Sequence, residues 1–215
     1  MLIINLRTNH FENPVGYNVS PLTFSWNVEE ARGTKTVEAR VQIAEDITFK
    51  TVVWDSGSRD NIDSKSFMPR FTPKPETRYY WKVFITDDVG ESATSDPAYF
   101  ETAPEKIKGK WITAPFEKCS HGIYRRTFEL SSEEDIKKAR LYISGLGLYE
   151  AYLNGEKIGN EFLAPFYNDY NYWIQYQTYD ITNLLKVGIN ELRVMLGNGW
   201  YKGRFGFIDN LDRLY

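Results

Sequence analysis

The sequence is poor in the residues that build metal and disulfide sites: one cysteine, Cys119, and two histidines in 215 residues. An intrachain disulfide is impossible, and a closed zinc site of the usual kind could not be assembled unless carboxylates joined the set. Cys119 and His121 are spaced to share one face of a strand. A nucleophilic thiol also needs a nearby base and a group to orient it, and this pair has no further partners in sequence, so Cys119 reads as an ordinary thiol. No apolar run approaches the roughly 20 residues needed to cross a bilayer. The opening stretch MLIINLRTNHFENP has too short an apolar core and no cleavage pattern for a signal peptide. As written, the expected location is the cytoplasm, although a secreted chain trimmed of its leader would read the same. No charge sign dominates, with 26 basic against 29 acidic side chains, which argues against a nucleic-acid partner. A Gly-x-Ser-x-Gly elbow, a phosphate loop, an internal repeat and low-complexity tracts are all missing. Neither a cofactor nor a metal is expected.

What the sequence does have is aromatics, 16% of residues, with 15 Tyr, 13 Phe and 6 Trp. These suit strand-rich cores and also surfaces that stack on flat apolar ligand faces. From Ile3 to Thr102 short alternating runs are separated by turn residues, the pattern of an antiparallel sandwich. Leu22, Phe24 and Trp26 form one inward set, and Val37, Ala39, Val41 and Ile43 a second. The strongest run is Tyr79 to Ile85, in which Tyr79, Trp81, Val83 and Ile85 share a side. The preceding turn, with Pro73, Pro75 and Thr77, resembles the tyrosine corner of fibronectin type III domains.

Glu101 to Lys110 is polar, contains Pro104 and Gly109, and predicts a domain boundary. The expected domains are 1–103 and 110–215. Alternation resumes over Ile123–Leu130 and Lys138–Ser144, with Ala139, Leu141 and Ile143 inward. Gly145 and Gly147 then predict a bend or bulge. Tyr149–Leu153 reads as a strand, Asn154-Gly155 as a tight hairpin turn, and Lys157–Gly159 as the start of the return strand. A long aromatic loop, Asn160–Asn171, precedes a further alternating run from Trp173 to Tyr179. Asp180 or Thr182 can cap a short helical turn through Leu185, and Leu192, Val194 and Leu196 lead into Gly197–Arg204, GNGWYKGR.

That last loop holds the residue types a carbohydrate site needs. A pyranose presents a C–H face that stacks on an indole or phenol, and hydroxyls that demand donors and acceptors. Asn198, Trp200, Tyr201 and Arg204 supply both, with the Trp173 region as a further candidate contact. The plainer alternative is that Trp200 or Tyr201 plugs the end of the sandwich and Arg204 pairs with a surface carboxylate. Glycoside hydrolysis usually needs two carboxylates flanking the scissile bond. Glu150, Glu156, Glu161, Asp169 and Asp180 lie in the right half, but none sits in an apolar run that would raise its pKa toward a general acid's. Glu133-Glu134-Asp135 reads as a solvated loop. Asn18-Val19-Ser20 matches a glycosylation acceptor, a pattern short enough to arise by chance. No catalytic residue is assigned.

Two sets of motifs together carry a family resemblance. Asn13-Pro14, Gly16, Pro21 and Phe24-Ser25-Trp26, then Val53-Trp54-Asp55-Ser56-Gly57, then Tyr79-Tyr80-Trp81, resemble the first domain of many bacterial α-L-rhamnosidases, glycoside hydrolase family 78. The stretch from Leu141 to Gly155, with Gly197-Asn198-Gly199-Trp200-Tyr201, resembles that family's N-terminal jelly-roll module. The resemblance implies an all-β chain: a fibronectin type III or immunoglobulin-like sandwich, then a jelly-roll of galactose-binding-like type, incomplete at its C-terminus. It further implies a parent enzyme that hydrolyses terminal α-L-rhamnosyl bonds with inversion, through acidic residues on an (α/α)₆ barrel that nothing here resembles. The family's catalytic residues therefore have no positions to be carried onto. The implied partners are a rhamnoside and the parent's barrel, and an exposed sheet edge, or a foreign partner filling it, is expected in the second domain. A stand-alone carbohydrate-binding or adhesion protein is the rival reading. A third is an architectural role, with Trp200 and its neighbours packed against the barrel.

Overall fold

A computed structural model describes residues 1–115, 121–132 and 136–202. The chain divides into two compact units, Met1–Lys106 and Ile107–Tyr215, and both are built of strands.

In the first unit, β1 (Leu2–Thr8) pairs with β3 (Phe24–Glu29) as a two-stranded sheet. It faces a larger sheet in the order β2 (Val15–Tyr17), β8 (Ala98–Thr102), β6 (Arg78–Asp87), β4 (Thr36–Ala44), β5 (Val52–Asp55), with β7 (Ser92–Thr94) also on β6. Period-2 patterning makes β6 the spine, because Tyr79, Trp81, Val83 and Ile85 all point to one face and are at most 3% exposed. Trp81 stacks on Phe24 of the facing sheet at 4.0 Å, and its indole N–H donates to Thr8 Oγ1 at 3.1 Å. The polar edge of a fully buried ring is thereby satisfied, while each such ring contributes roughly 2–3 kcal/mol of burial. The Tyr79 hydroxyl accepts the amide N–H of Lys74 at 3.0 Å, which closes the tyrosine corner.

Two readings of this half need correction. Val37 was expected inward, yet it is 45% exposed. A register shift in the β4–β6 pairing between Thr36 and Glu38 reverses its side. Glu101 and Thr102 were placed in the polar boundary, yet both are buried in β8. A buried carboxylate is tolerated only with a partner, and Arg78 Nε stands 3.0 Å from Glu101 Oε2.

In the second unit, β12 (Glu156–Lys157), β11 (Leu148–Leu153), β14 (Gly188–Gly197) and β9 (Gly122–Leu130) form an antiparallel sheet in that order. A smaller sheet pairs β10 (Arg140–Ile143) with β13 (Gln177–Asp180). The core between them gathers Tyr149, Ala151 and Leu153 of β11 with Leu141, Ile143, Tyr179, Leu192, Val194 and Leu196. Among the described residues β9 is a terminal strand, with Ile123 67% and Phe128 36% exposed. The run expected from Trp173 becomes a strand only at Gln177, and the return strand after the hairpin is two residues long. The helical turn is a 3-10 turn, Thr182–Leu184. Its first amide is held by Asp180 Oδ1 at 3.1 Å, and the same carboxylate oxygen pairs with Arg140 Nη1 at 2.7 Å.

Candidate functional site

The two sequence motifs of the second unit meet through backbone. Gly147 has φ +130°, and a Cβ there would stand 2.1 Å from the Gly197 carbonyl oxygen. Only glycine permits this approach. It seats the bend before β11 directly against the end of β14, from which GNGWYKGR departs. Within that segment Gly199–Lys202 forms a single helical turn, α1, rather than an open loop, closed by the Lys202 amide donating to the Asn198 carbonyl at 3.3 Å.

The long loop reaches the same end of the unit because its ends are fixed. The Tyr149 amide donates to the Ala164 carbonyl at 2.8 Å. Asn168, fully buried, accepts the Gln175 amide at 2.7 Å and donates to the Phe166 carbonyl at 3.2 Å. One asparagine thus folds residues 166–175 back on themselves and turns the intervening rings outward.

The predicted site residues come together in part. Trp200 meets Tyr167 edge-on at 6.3 Å, and Tyr201 meets Tyr170 edge-on at 5.1 Å. Trp173 sits on the turn that follows, its amide donating to the Asp169 carbonyl at 2.9 Å, and its ring is 53% exposed with no ring contact among the described residues. Arg204, like Cys119 and the Glu133–Asp135 run, lies outside the described residues. Sequence reasoning did not single out Tyr167 and Tyr170 as site residues; the signal was the aromatic density of the loop that holds them. Around them Phe162, Leu163, Phe166 and Tyr172 are exposed. The Lys157 ammonium lies 4.3 Å from the Phe162 ring centre, a cation–π contact at the rim.

Glu150 and Glu191 are both tied to neighbouring donors. Hydrogen bonds from the Tyr152 hydroxyl at 2.7 Å and Lys157 Nζ at 3.1 Å hold Glu150 below the usual carboxylate range. Desolvation raises Glu191, but hydrogen bonds from Arg193 and Arg125 outweigh it and keep this carboxyl low as well. Among the described residues no cluster of three or more His, Cys, Asp or Glu side chains could hold a metal ion. The hydroxyl of Tyr149 is pushed up by burial and donates to Gln177 Oε1 at 2.6 Å, so it joins the two sheets as a neutral donor. The arrangement can stack on an apolar ring face and offer hydrogen bonds.

The family model described as "Rha78A-like, N-terminal immunoglobulin domain" matches residues 3–105, and "Alpha-L-rhamnosidase N-terminal domain" matches 134–215. The chain belongs to the α-L-rhamnosidase family, as an N-terminal region. An α-L-rhamnosidase of Formosa agariphila is 32% identical over 229 residues, covering 90% of this chain and 24% of that relative. One from Streptomyces avermitilis is 45% identical over 127 residues, covering 59% of this chain and 12% of the relative. The solved α-L-rhamnosidase from Dictyoglumus thermophilum superimposes with a TM-score of 0.81 at 28% identity, over 94% of this chain and 25% of that structure. The chain thus spans about a quarter of the length of relatives that it matches nearly end to end. The all-β, sandwich-type architecture of this rhamnosidase region agrees with the fold expected from its strand patterning.

Proposed function

We propose that this chain is the non-catalytic accessory region of an inverting α-L-rhamnosidase that removes terminal α-L-rhamnosyl residues from glycosides. The observation that carries the reading is the order of the two N-terminal domain families along this chain, which covers about a quarter of the relatives it matches. Catalysis is assigned to the part of the parent protein that the matched relatives hold beyond this span. In support, the carboxylates Glu150 and Glu191 are charged and tied to neighbouring cations or hydroxyls, the opposite of what a general acid requires.

Within this reading, Trp200, Tyr201 and Asn198, with Tyr167 and exposed Trp173, form the surface that contacts the rhamnoside. The 6-deoxy sugar has a C–H face and a methyl group, suited to half-exposed rings held edge to face. An aryl α-L-rhamnoside assay of the isolated chain checks the division of labour. No turnover is expected, and hydrolysis abolished by one carboxylate substitution would overturn it. Calorimetric titration with L-rhamnose checks the contact: binding lost in Trp200→Ala is expected. Absence of binding in the wild type removes the sugar role and leaves the rings as a packing surface.

A further inference from the structure

A cleft separate from the aromatic cluster lies in the first unit. After β5 the chain crosses the open side of the sandwich. Arg59 exchanges backbone hydrogen bonds with Ala39 of β4 at 2.8 and 2.9 Å, and Phe67 does the same with Phe24 of β3 at 2.8 Å each. This strap and the edge strand β5 enclose a cleft of about 390 Å³ lined by Trp54, Asp55, Arg59, Phe67, Met68 and Arg70. Trp54 and Phe67 are its aromatic lining, half-buried, with ring centres 6.0 Å apart. Both pack on the core, so their exposed faces are held in place.

Charge separates this cleft from an ordinary core flank. Asp55 is already engaged: it accepts Arg40 Nε at 2.9 Å, Gln42 Nε2 at 2.9 Å and the Gly57 amide at 2.9 Å, and Arg40 neutralises it. The guanidinium groups of Arg59 and Arg70 have neither hydrogen bond nor ion pair among the described residues. Two guanidinium groups without a protein partner among the described residues, lining one cleft with two half-buried rings, fit a ligand with an apolar face and a carboxylate, which an arginine fork grips in two places. Arg59 also lines an adjoining hollow of about 560 Å³ with Ser58, Asp60 and Asn61. These offer donors and acceptors for hydroxyls beside the cationic end.

We propose that this cleft binds a hexuronate unit of an acidic saccharide, its ring face on Trp54 and Phe67, its carboxylate on Arg59 and Arg70, and a neighbouring sugar's hydroxyls at Ser58, Asp60 and Asn61. The volume is that of a site for one or two sugar rings.

Two-dimensional NMR of the whole chain, titrated with methyl β-D-glucuronide and separately with methyl β-D-glucoside, tests this. Glucuronide should shift the amides of residues 54–70 and one indole N–H, with affinity about tenfold above that of the glucoside and falling with salt. Arg70→Gln and Arg59→Gln, whose side chains stand outside the core, should each lower affinity about tenfold, with unchanged melting temperature. Equal response to the neutral glucoside overturns the carboxylate assignment. Equal response to acetate or benzoate overturns the saccharide assignment. No shift at tens of millimolar, or affinity retained in both folded variants, overturns the site itself.

Discussion

Gly147 and Gly197 lie so close that a methyl group on the first would stand 2.1 Å from the carbonyl oxygen of the second. The oxygen belongs to backbone paired in the β11–β14 ladder, where Leu148 lies opposite Gly197, and cannot swing aside. Gly147→Ala should therefore destabilise the second unit by about 3 kcal/mol, combining positive φ with a backbone clash. Chemical denaturation measures the loss. A second reporter is the near-UV signal of Trp200, whose helical turn starts two residues beyond Gly197; an unchanged midpoint would contradict the close contact.

Asn154 serves the hairpin in two ways. Its φ of 55° matches the turn, and Gly155 follows at 89°. Its side chain donates to the Leu184 carbonyl and to Asn190 Oδ1, both at 2.9 Å, and accepts the Glu191 amide at 3.0 Å. Asn154→Ala should cost about 2–3 kcal/mol, and Asn154→Asp at least as much, because a carboxylate oxygen would replace the amide nitrogen that donates to the Leu184 carbonyl and Asn190 Oδ1. Chemical denaturation measures both, and a much smaller loss in Asn154→Asp than in Asn154→Ala would mean that the two donated hydrogen bonds contribute nothing.

Glu101 is fully buried against Arg78, whose side chain is 26% exposed and whose guanidinium lies 4.5 Å from the Tyr99 ring centre. Glu101→Ala should destabilise the first unit by about 3 kcal/mol, toward the low end for a buried pair because Arg78 retains some solvent. The double variant with Arg78→Met should recover part of that loss in thermal melts, since no unpaired charge remains.

The pH dependence follows from Asp55. Hydrogen bonding by Arg40 holds its carboxyl below the usual range in the folded chain. A depressed folded pKa stabilises above the unfolded value, roughly pH 4, and that stabilisation is lost as pH falls further toward the folded pKa. Urea denaturation of wild type and Asp55→Asn should differ most at pH 7 and converge toward pH 2. A gap that stays constant with pH would exclude the carboxylate's charge as its source.

Much of the fold was legible because strand burial has a period of two and this chain obeys it closely. Tyr79, Trp81, Val83 and Ile85 could be assigned inward from sequence alone, and so could the Asn154-Gly155 hairpin, whose turn type demands those residues. Val37 failed because a register shift at the start of β4, invisible in composition, falls at that residue and leaves Ala39, Val41 and Ile43 inward. Glu101 failed because a carboxylate gives no sign in sequence that an arginine 23 residues away will neutralise it.

The site was legible as a set of residue types and not as an arrangement. Sequence by itself determined that aromatic side chains crowd residues 162–173 and 198–201, that segments between or after strands carry them, and which family the motifs resemble. Only the tertiary structure decided that Tyr167 meets Trp200 and Tyr170 meets Tyr201, and that Trp54 and Phe67 line one cleft with Arg59 and Arg70. The reason is physical. Local alternation fixes which face a strand residue takes, whereas loop contacts depend on long-range backbone pairings, such as Gly147 on Gly197 and Phe67 on Phe24, that exist only once the sheets have closed.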